Sequence, residues 1–302
     1  MRLYFAGCAR DCQKTIVANV QSILSLGDNP WCQELRLYIV ENNSTDGTRD
    51  IIRKLALSDP RVVPLLLDDI DKLIPFREAR IAYCREQLLN TICTDIHKSL
   101  YIPVDLDLRL ADLFCASSFR SSCELVYSGQ CTAIFPTSFP NYYDVHALRA
   151  ANWCSNSCWK HVQLFNKGSQ LSFVLACYWY ISRRQKSARS LLAKNLLPVF
   201  SAFGGAGIYS LDEVRRVHAR YQSPSLADPD AYLCEHVVFN SYFSRLFIKT
   251  DWVAPAPEEH IQFWLLNWHQ RCWIFIHAAL CDLKALVLFF PKWILRSFTC
   301  HS

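Results

Sequence analysis

In SLYIPVDLDLRL, residues 99–110, an apolar run ends on two aspartates one residue apart, Asp105 and Asp107, with Arg109 close behind. Like charges held side by side away from water resist ionising. Something positive is therefore expected between them: a metal ion, an arginine, or only solvent. Carboxylate oxygens are hard ligands for Mn²⁺ or Mg²⁺, and such an ion bridges to a diphosphate. A solvated turn or a helix cap produces the same pattern. That plainer origin is the expectation for a second triplet, Asp69-Ile-Asp71, because Lys72, Leu73 and Pro75 follow it as in an ordinary loop.

Two further stretches carry chemistry. In YIVENNSTDGT, residues 38–48, Glu41 closes a strand ahead of a polar turn and a helix start. That arrangement suits a ribose or a base edge, or simply a well-capped helix through Ser44, Thr45 and Asp46. In FREARIAYCRE, residues 76–86, Arg77, Arg80 and Arg85 fall at helical spacing. Arg77 and Arg80 share a face that could meet phosphate, or one paired in solvent with Glu78 and Glu86. No GxGxxG follows a strand, and neither GxxxxGK[ST] nor GxSxG occurs. These absences argue against a dinucleotide oxidoreductase, a P-loop NTPase and a hydrolase elbow.

The elements that must position these residues alternate. RLYFAG, ELRLYIVE, RVVPLLL and SLYIPV read as strands. QKTIVANVQSILSL, STDGTRDIIRKLAL and REARIAYCREQLLNTI read as helices. Such alternation predicts an α/β fold with a mostly parallel sheet covered on both faces. Ligands bind beyond the carboxyl ends of such strands, which places Glu41, Asp105 and Asp107 at one rim. Beyond residue 110 the pattern is less regular, and SCELVYSGQCTAIFP is read as containing strand material.

With 302 residues, 51% of them hydrophobic, the chain buries a sizeable core and is not disordered. A net charge of +5 argues weakly for any partner, and no nucleic-acid partner is expected. Fifteen cysteines, odd in number and without a CxxC pair, read as buried free thiols in a reducing compartment. MRLYFAGCARDC reads as a first core strand rather than a signal peptide. Val145 to Leu211 holds eight Lys and Arg residues and no Asp or Glu, and it encloses the apolar LSFVLACYWYIS. The last forty residues are rich in Trp, Phe and Leu. Three segments follow: residues 1–110 as a first half, 111–256 as a second half with a basic insert at about 154–200, and 257–302 as a helical, aromatic-rich C-terminal segment.

The order of ENNSTDGT, REARIAYCRE and YIPVDLD resembles a GT-A nucleotide-sugar glycosyltransferase. YYDVHALR (142–149), FGGAGIYS (203–210) and CEHVVFN (234–240) extend the resemblance to the fungal capsule-associated mannosyltransferase family, over roughly residues 3–245. The chain departs from that pattern in three places. Glu86 stands where relatives have Asn, the N-terminal membrane anchor is missing, and the acid-free insert is peculiar to this chain. The resemblance implies that Asp105 and Asp107, with His236, hold Mn²⁺ or Mg²⁺ on the donor diphosphate, the ion neutralising the leaving group. It implies that Glu41 contacts the nucleoside and Arg80 the phosphates. Arg149, Gly204 and Gly205 would shape the donor-sugar and acceptor pocket. Glu235 is then the first candidate for base or stabiliser of the reacting centre, and Asp144 the second. The implied donor is GDP-mannose or a UDP-hexose, and the acceptor a glycan or lipid-linked molecule, with retention and an α-linkage.

Two competing readings stand beside this one: a non-catalytic glycan- or nucleotide-binding relative, and a membrane-surface scaffold. The basic insert and aromatic tail predict peripheral attachment to an anionic membrane surface, and the unpaired cysteines place it on the cytosolic side.

Overall fold

The computed structural model describes residues 1–110, 113–114, 117–166, 168–185, 195–223 and 233–298, with side chains as far as residue 284. Eight strands form one sheet: β1 (Arg2–Ala9), β2 (Glu34–Asn42), β3 (Val62–Leu67), β4 (Leu100–Asp105), β5 (Ala133–Phe139), β6 (Leu196–Val199), β7 (Ile208–Ser210) and β8 (Leu246–Pro255). Their order across the sheet is β3-β2-β1-β4-β7-β5-β8-β6. β1 pairs in parallel with β2 and β4, β2 with β3, and β5 with β8. The short β7 runs antiparallel to both β4 and β5, and β6 antiparallel to β8. The expected mostly parallel sheet is what the chain forms.

The alternation of β1 builds both faces. Leu3 and Phe5 enter one core cluster, with Ile16, Val20, Phe119 and Trp252. Tyr4 and Ala6 enter the other, with Leu88, Leu89, Tyr101 and Phe239. Each such side chain, fully buried, contributes about 1.5–3 kcal/mol. Helices α1 (Ile16–Ser25) and α2 (Thr48–Ser58) pack on the first face through Ile16, Val20 and Ile52. After α3 (Ile70–Leu73), α4 (Arg77–Ile92) crosses to the second face through Leu88, Leu89 and Ile92. The chain thus winds β1, β2, β3 in one direction and returns to add β4 on the other side of β1. The reversal lies between the carboxyl ends of β1 and β4, where open α/β sheets bind ligands. Cys8 of β1 is paired there with Asp105 of β4.

The stretch SCELVYSGQCTAIFP does contain strand material, its end opening β5 at Ala133, while its beginning, SCELVY, closes a helix, Ser117–Tyr127; short apolar runs carry no period that separates the two. Of Ser44, Thr45 and Asp46, only Asp46 supports α2, its Oδ1 accepting from the Thr48 amide at 2.9 Å. Ser44 instead accepts from the amide of Asp11 across the next loop. The insert forms helices Cys158–Phe165 and Gln170–Cys177 and a π-turn, Tyr178–Ser182. Its Lys167, Lys186, Arg189 and Lys194 lie outside the described residues. The tail forms helices Glu258–Leu265 and Trp268–Phe298, the latter packed on Gln170–Cys177. Among the described residues no helix is long and apolar enough to cross a membrane. The described cysteines are free, and all but Cys272 are buried or half-buried.

Candidate active site

A cavity of about 860 Å³ opens at the reversal point. Its floor is the carboxyl ends of β1 and β4, with Cys8 and Asp105. α4 supplies one wall through Arg80, Cys84 and Arg85, and Asp144, Glu235 and His236 supply another.

Arg85 is the hub. On α4 it occupies the same stripe as Leu88, Leu89 and Ile92, spacing i, i+3, i+4, i+7, so the helix drives it inward with the core. Its Nη2 meets Asp105 Oδ1 at 2.6 Å and its Nε meets Glu235 Oε1 at 3.1 Å. Its guanidinium carbon lies 4.9 Å from the centroid of the Phe203 ring. Only 4% of its side chain is exposed, and Nη1 has no hydrogen-bond partner among the described residues. The positive charge required beside Asp105 is thus an arginine of the chain itself. One guanidinium does not fully offset the burial. The Asp105 carboxyl is pushed up to about 7, first by burial, with Arg85 opposing and Asp107 adding repulsion.

Glu235 and His236 open the helix Glu235–Asn240. His236 is buried and stacked on Phe203 at 3.6 Å between centroids. Its Nε2 stands 3.5 Å from Glu235 Oε1, but neither ring nitrogen makes a hydrogen bond to the described residues. Burial, then Arg85 and His146, hold its pKa well below the usual histidine range, so the ring is neutral. His146 is lowered too, by burial against the opposing pull of Asp144 and Glu235.

The structure brings Asp105, Asp107, Glu235, His236, Asp144 and Arg80 to the one cavity. Asp107 is exposed there. Asp144 is anchored at both oxygens, Oδ1 by the Ala147 amide at 3.1 Å and Oδ2 by the Gly204 amide at 2.9 Å. Arg80 donates to the carbonyls of Ile74 and Pro75. Glu41, Arg149, Gly204 and Gly205 stand behind the lining. Glu41 is fully buried, its carboxylate held by the Ser44 amide at 2.7 Å and by Arg49. Arg149 donates to the carbonyls of His146 and Leu148. Gly205 has φ +86°, and its carbonyl accepts from the Asp105 amide at 3.0 Å. The Asp69 carboxylate pairs with Lys72 in solvent, as an ordinary turn would.

Arg85 falls at helical spacing in the sequence, with no role read there. Its signal is an arginine in the core register of α4. His146, Phe203 and the wall residues Trp159, Gln185 and His260 also went unassigned.

Asp105, Asp107 and His236 do not form a three-ligand cage. Among the described residues no three His, Cys, Asp or Glu side chains are arranged to hold a metal. Arg85 engages Asp105, and Phe203 packs the His236 ring. What remains is a pair of carboxylates at the cavity, and this suits an ion that takes one or two carboxylates and completes its shell with substrate phosphates.

No protein-family model matches the chain, and no curated protein matches it. Among solved structures it is similar to S. aureus TarS 1–349, with a TM-score of 0.44 and 12% identity over 91% of this chain and 69% of that one. It spans 43% of a longer TarS chain. It is also similar to M. tuberculosis glucosyl-3-phosphoglycerate synthase in complex with Mn²⁺ and UDP-glucose, with a TM-score of 0.40 and 13% identity over 86% of this chain and 74% of that one. At these scores the likeness transfers no residue, ligand or activity to this chain.

Proposed function

We propose that this protein is a glycosyltransferase that moves a hexose from a nucleotide-diphosphate sugar, GDP- or UDP-linked, to a glycan or lipid-linked acceptor. One observation carries the reading: Asp105 and Glu235 meet around Arg85, and Asp107 lines the same cavity, at the β1/β4 reversal point. The cavity has the volume of a small-molecule site. Its carboxylates suit a divalent ion and its arginines suit phosphate.

In this reading Asp105 and Asp107 hold Mn²⁺ or Mg²⁺. When bound, the ion neutralises charge on the leaving nucleoside diphosphate. Arg80 lies at the same cavity for the phosphates. Arg85 fixes Glu235 through Nε, leaving Oε2, among the described residues, with only the Cys234 thiol, at 3.6 Å. Glu235 thereby stands as an oriented carboxylate toward the reacting sugar. Asp144, with both oxygens held by backbone amides, orders the turn through Gly204 instead. Glu41 shapes the nucleoside side from beneath by fixing the turn after β2.

The pairing of Arg85 with both carboxylates also favours a second reading, a non-catalytic nucleotide-sugar binder. A thermal-shift screen of nucleotide sugars with and without Mn²⁺ tests the shared part. Ligand at one hundred times its Kd stabilises the folded state by about 2.7 kcal/mol. The expected result is a shift with one nucleotide class that Mn²⁺ enlarges. No shift with any nucleotide sugar contradicts both readings.

A further inference from the structure

The helix Trp268–Phe298 presents an outward face unlike that of a solvated helix. Trp268, Trp273, Ile276, Leu280 and Leu283 are between 44% and 65% exposed. At 100° per residue they fall within one arc of roughly 140°. The other residues on that arc, His269, Cys272 and Ala279, include no acid; Lys284 and His277 follow its one edge, Phe275 and Asp282 the other. The one acidic residue of the helix, Asp282, turns inward, where its carboxylate accepts from the amides of Gln170 and Leu171. The sequence beyond, ALVLFFPKWILRSF, adds Lys292 and Arg296 and again no acid.

An apolar stripe over four turns, with Lys284 and His277 along one edge, exceeds the scattered apolar exposure normal at a surface. Tryptophan beside basic side chains suits the headgroup level of a bilayer, where the ring is half apolar and half wet. The helix lies along the body of the protein, packed on Gln170–Cys177. The π-turn after that helix supplies Ile181 to the cavity, and Glu258–Leu265 supplies Glu259 and His260. One helical layer thus walls the cavity on its inner side and shows the stripe on its outer side.

We propose that this outer face docks the protein flat on an anionic bilayer surface, with the apolar stripe in the headgroup region and the cavity held next to the lipid. Charge selects the occupant. A second copy of this chain would bring the same acid-free arc, with no opposite charge to meet Lys284. An anionic headgroup layer meets Lys284 with opposite charge. The surface stands independently of the glycosyl-transfer reading. Only its corollary, that the acceptor is lipid-linked, rests on that reading.

The test is flotation of the full chain with phosphatidylcholine vesicles, with and without phosphatidylserine, at low and high salt. The wild type should float with phosphatidylserine at low salt, and high salt should weaken it. The double variant Ile276→Glu/Leu280→Glu should bind at least ~10-fold less, because it places charge in the apolar stripe. Both positions are exposed, so its melting temperature should stay near that of the wild type. Brominated lipid should quench wild-type tryptophan emission, which decides the matter even for a double variant that does not fold. A wild type that does not float at low salt overturns the proposal. So does a folded double variant that floats equally well, or a concentration-dependent dimer that the double variant splits. Nucleotide-sugar thermal shifts on both proteins keep the two readings apart. Flotation without a donor shift removes the glycosyl-transfer reading alone, and a donor shift without flotation removes the surface alone.

Discussion

Arg85 carries one positive charge between two carboxylates, and it is nearly fully buried. Removing it leaves Glu235 and Asp105 facing each other without compensation. Breaking a buried pair from one side costs roughly 3–5 kcal/mol. Arg85→Met should therefore lower unfolding free energy by about 3 kcal/mol or more, measured by urea denaturation. A variant as stable as the wild type would remove Arg85 from the centre of the site. Asp105 gives a pH signature. Its folded pKa is raised to about 7, above the unfolded carboxylate value of about 3.9, so the folded protein binds the extra proton. That contribution is fully present below the unfolded pKa and is lost as pH rises toward 7. The buried histidines His236 and His146, held neutral, act in the opposite sense, stabilising as pH rises through their unfolded value. Comparing wild type with Asp105→Asn, metal-free, between pH 4 and 7 isolates the aspartate. The stability gap should drift against the wild type as pH rises, and a flat gap contradicts the raised pKa. Glu235→Gln should cut turnover by about 10²-fold while donor binding survives, the scale of a positioned acid–base group. Unchanged turnover would move that role to Asp144.

At the scale of elements, the strands of the first hundred residues were legible because buried parallel strands are short apolar runs between amphipathic helices. Asp105 at the end of β4 was legible for the same reason. Arg85 was not, because charge at helical spacing reads as a solvated face until the sheet shows which side α4 buries. The wall of the cavity was hidden in the insert, where LSFVLACYWYIS gives no period that distinguishes a helix from a strand. The turn at Gly204 and Gly205 was visible as a glycine pair but not as a support. Gly205 has φ +86°, and a Cβ there would lie 2.8 Å from Leu108 Cδ1 and 3.0 Å from the Tyr143 hydroxyl. Gly205→Ala should cost about 1–3 kcal/mol through that strained backbone alone. Because the Gly205 carbonyl holds the Asp105 amide, the same variant should weaken nucleotide-sugar binding, read by calorimetry. Intact affinity in a folded Gly205→Ala protein would detach the turn from the site.

Across the whole molecule, three stretches distant in sequence converge on one rim. The β1/β4 reversal supplies the carboxylates, α4 the arginines, and the late helix Glu235–Asn240 the second acidic partner. The helical layer from the insert and tail closes the cavity from the side. An aspartate pair at such a point is useful to a diphosphate-bearing ligand, whereas Asp69 pairs with Lys72 in solvent and Asp71, half-buried, faces Arg10 at 3.9 Å. Release of nucleoside diphosphate from nucleotide sugars, with Mn²⁺ or with EDTA, tests that assignment most directly. The comparison is among wild type, Asp107→Ala and Asp69→Ala. Asp107 is exposed, so its loss should leave stability within about 0.5 kcal/mol. Wild type and Asp69→Ala should release nucleoside diphosphate with Mn²⁺, and neither Asp107→Ala nor any protein in EDTA should. Release by Asp107→Ala in EDTA at the wild-type rate would contradict that assignment.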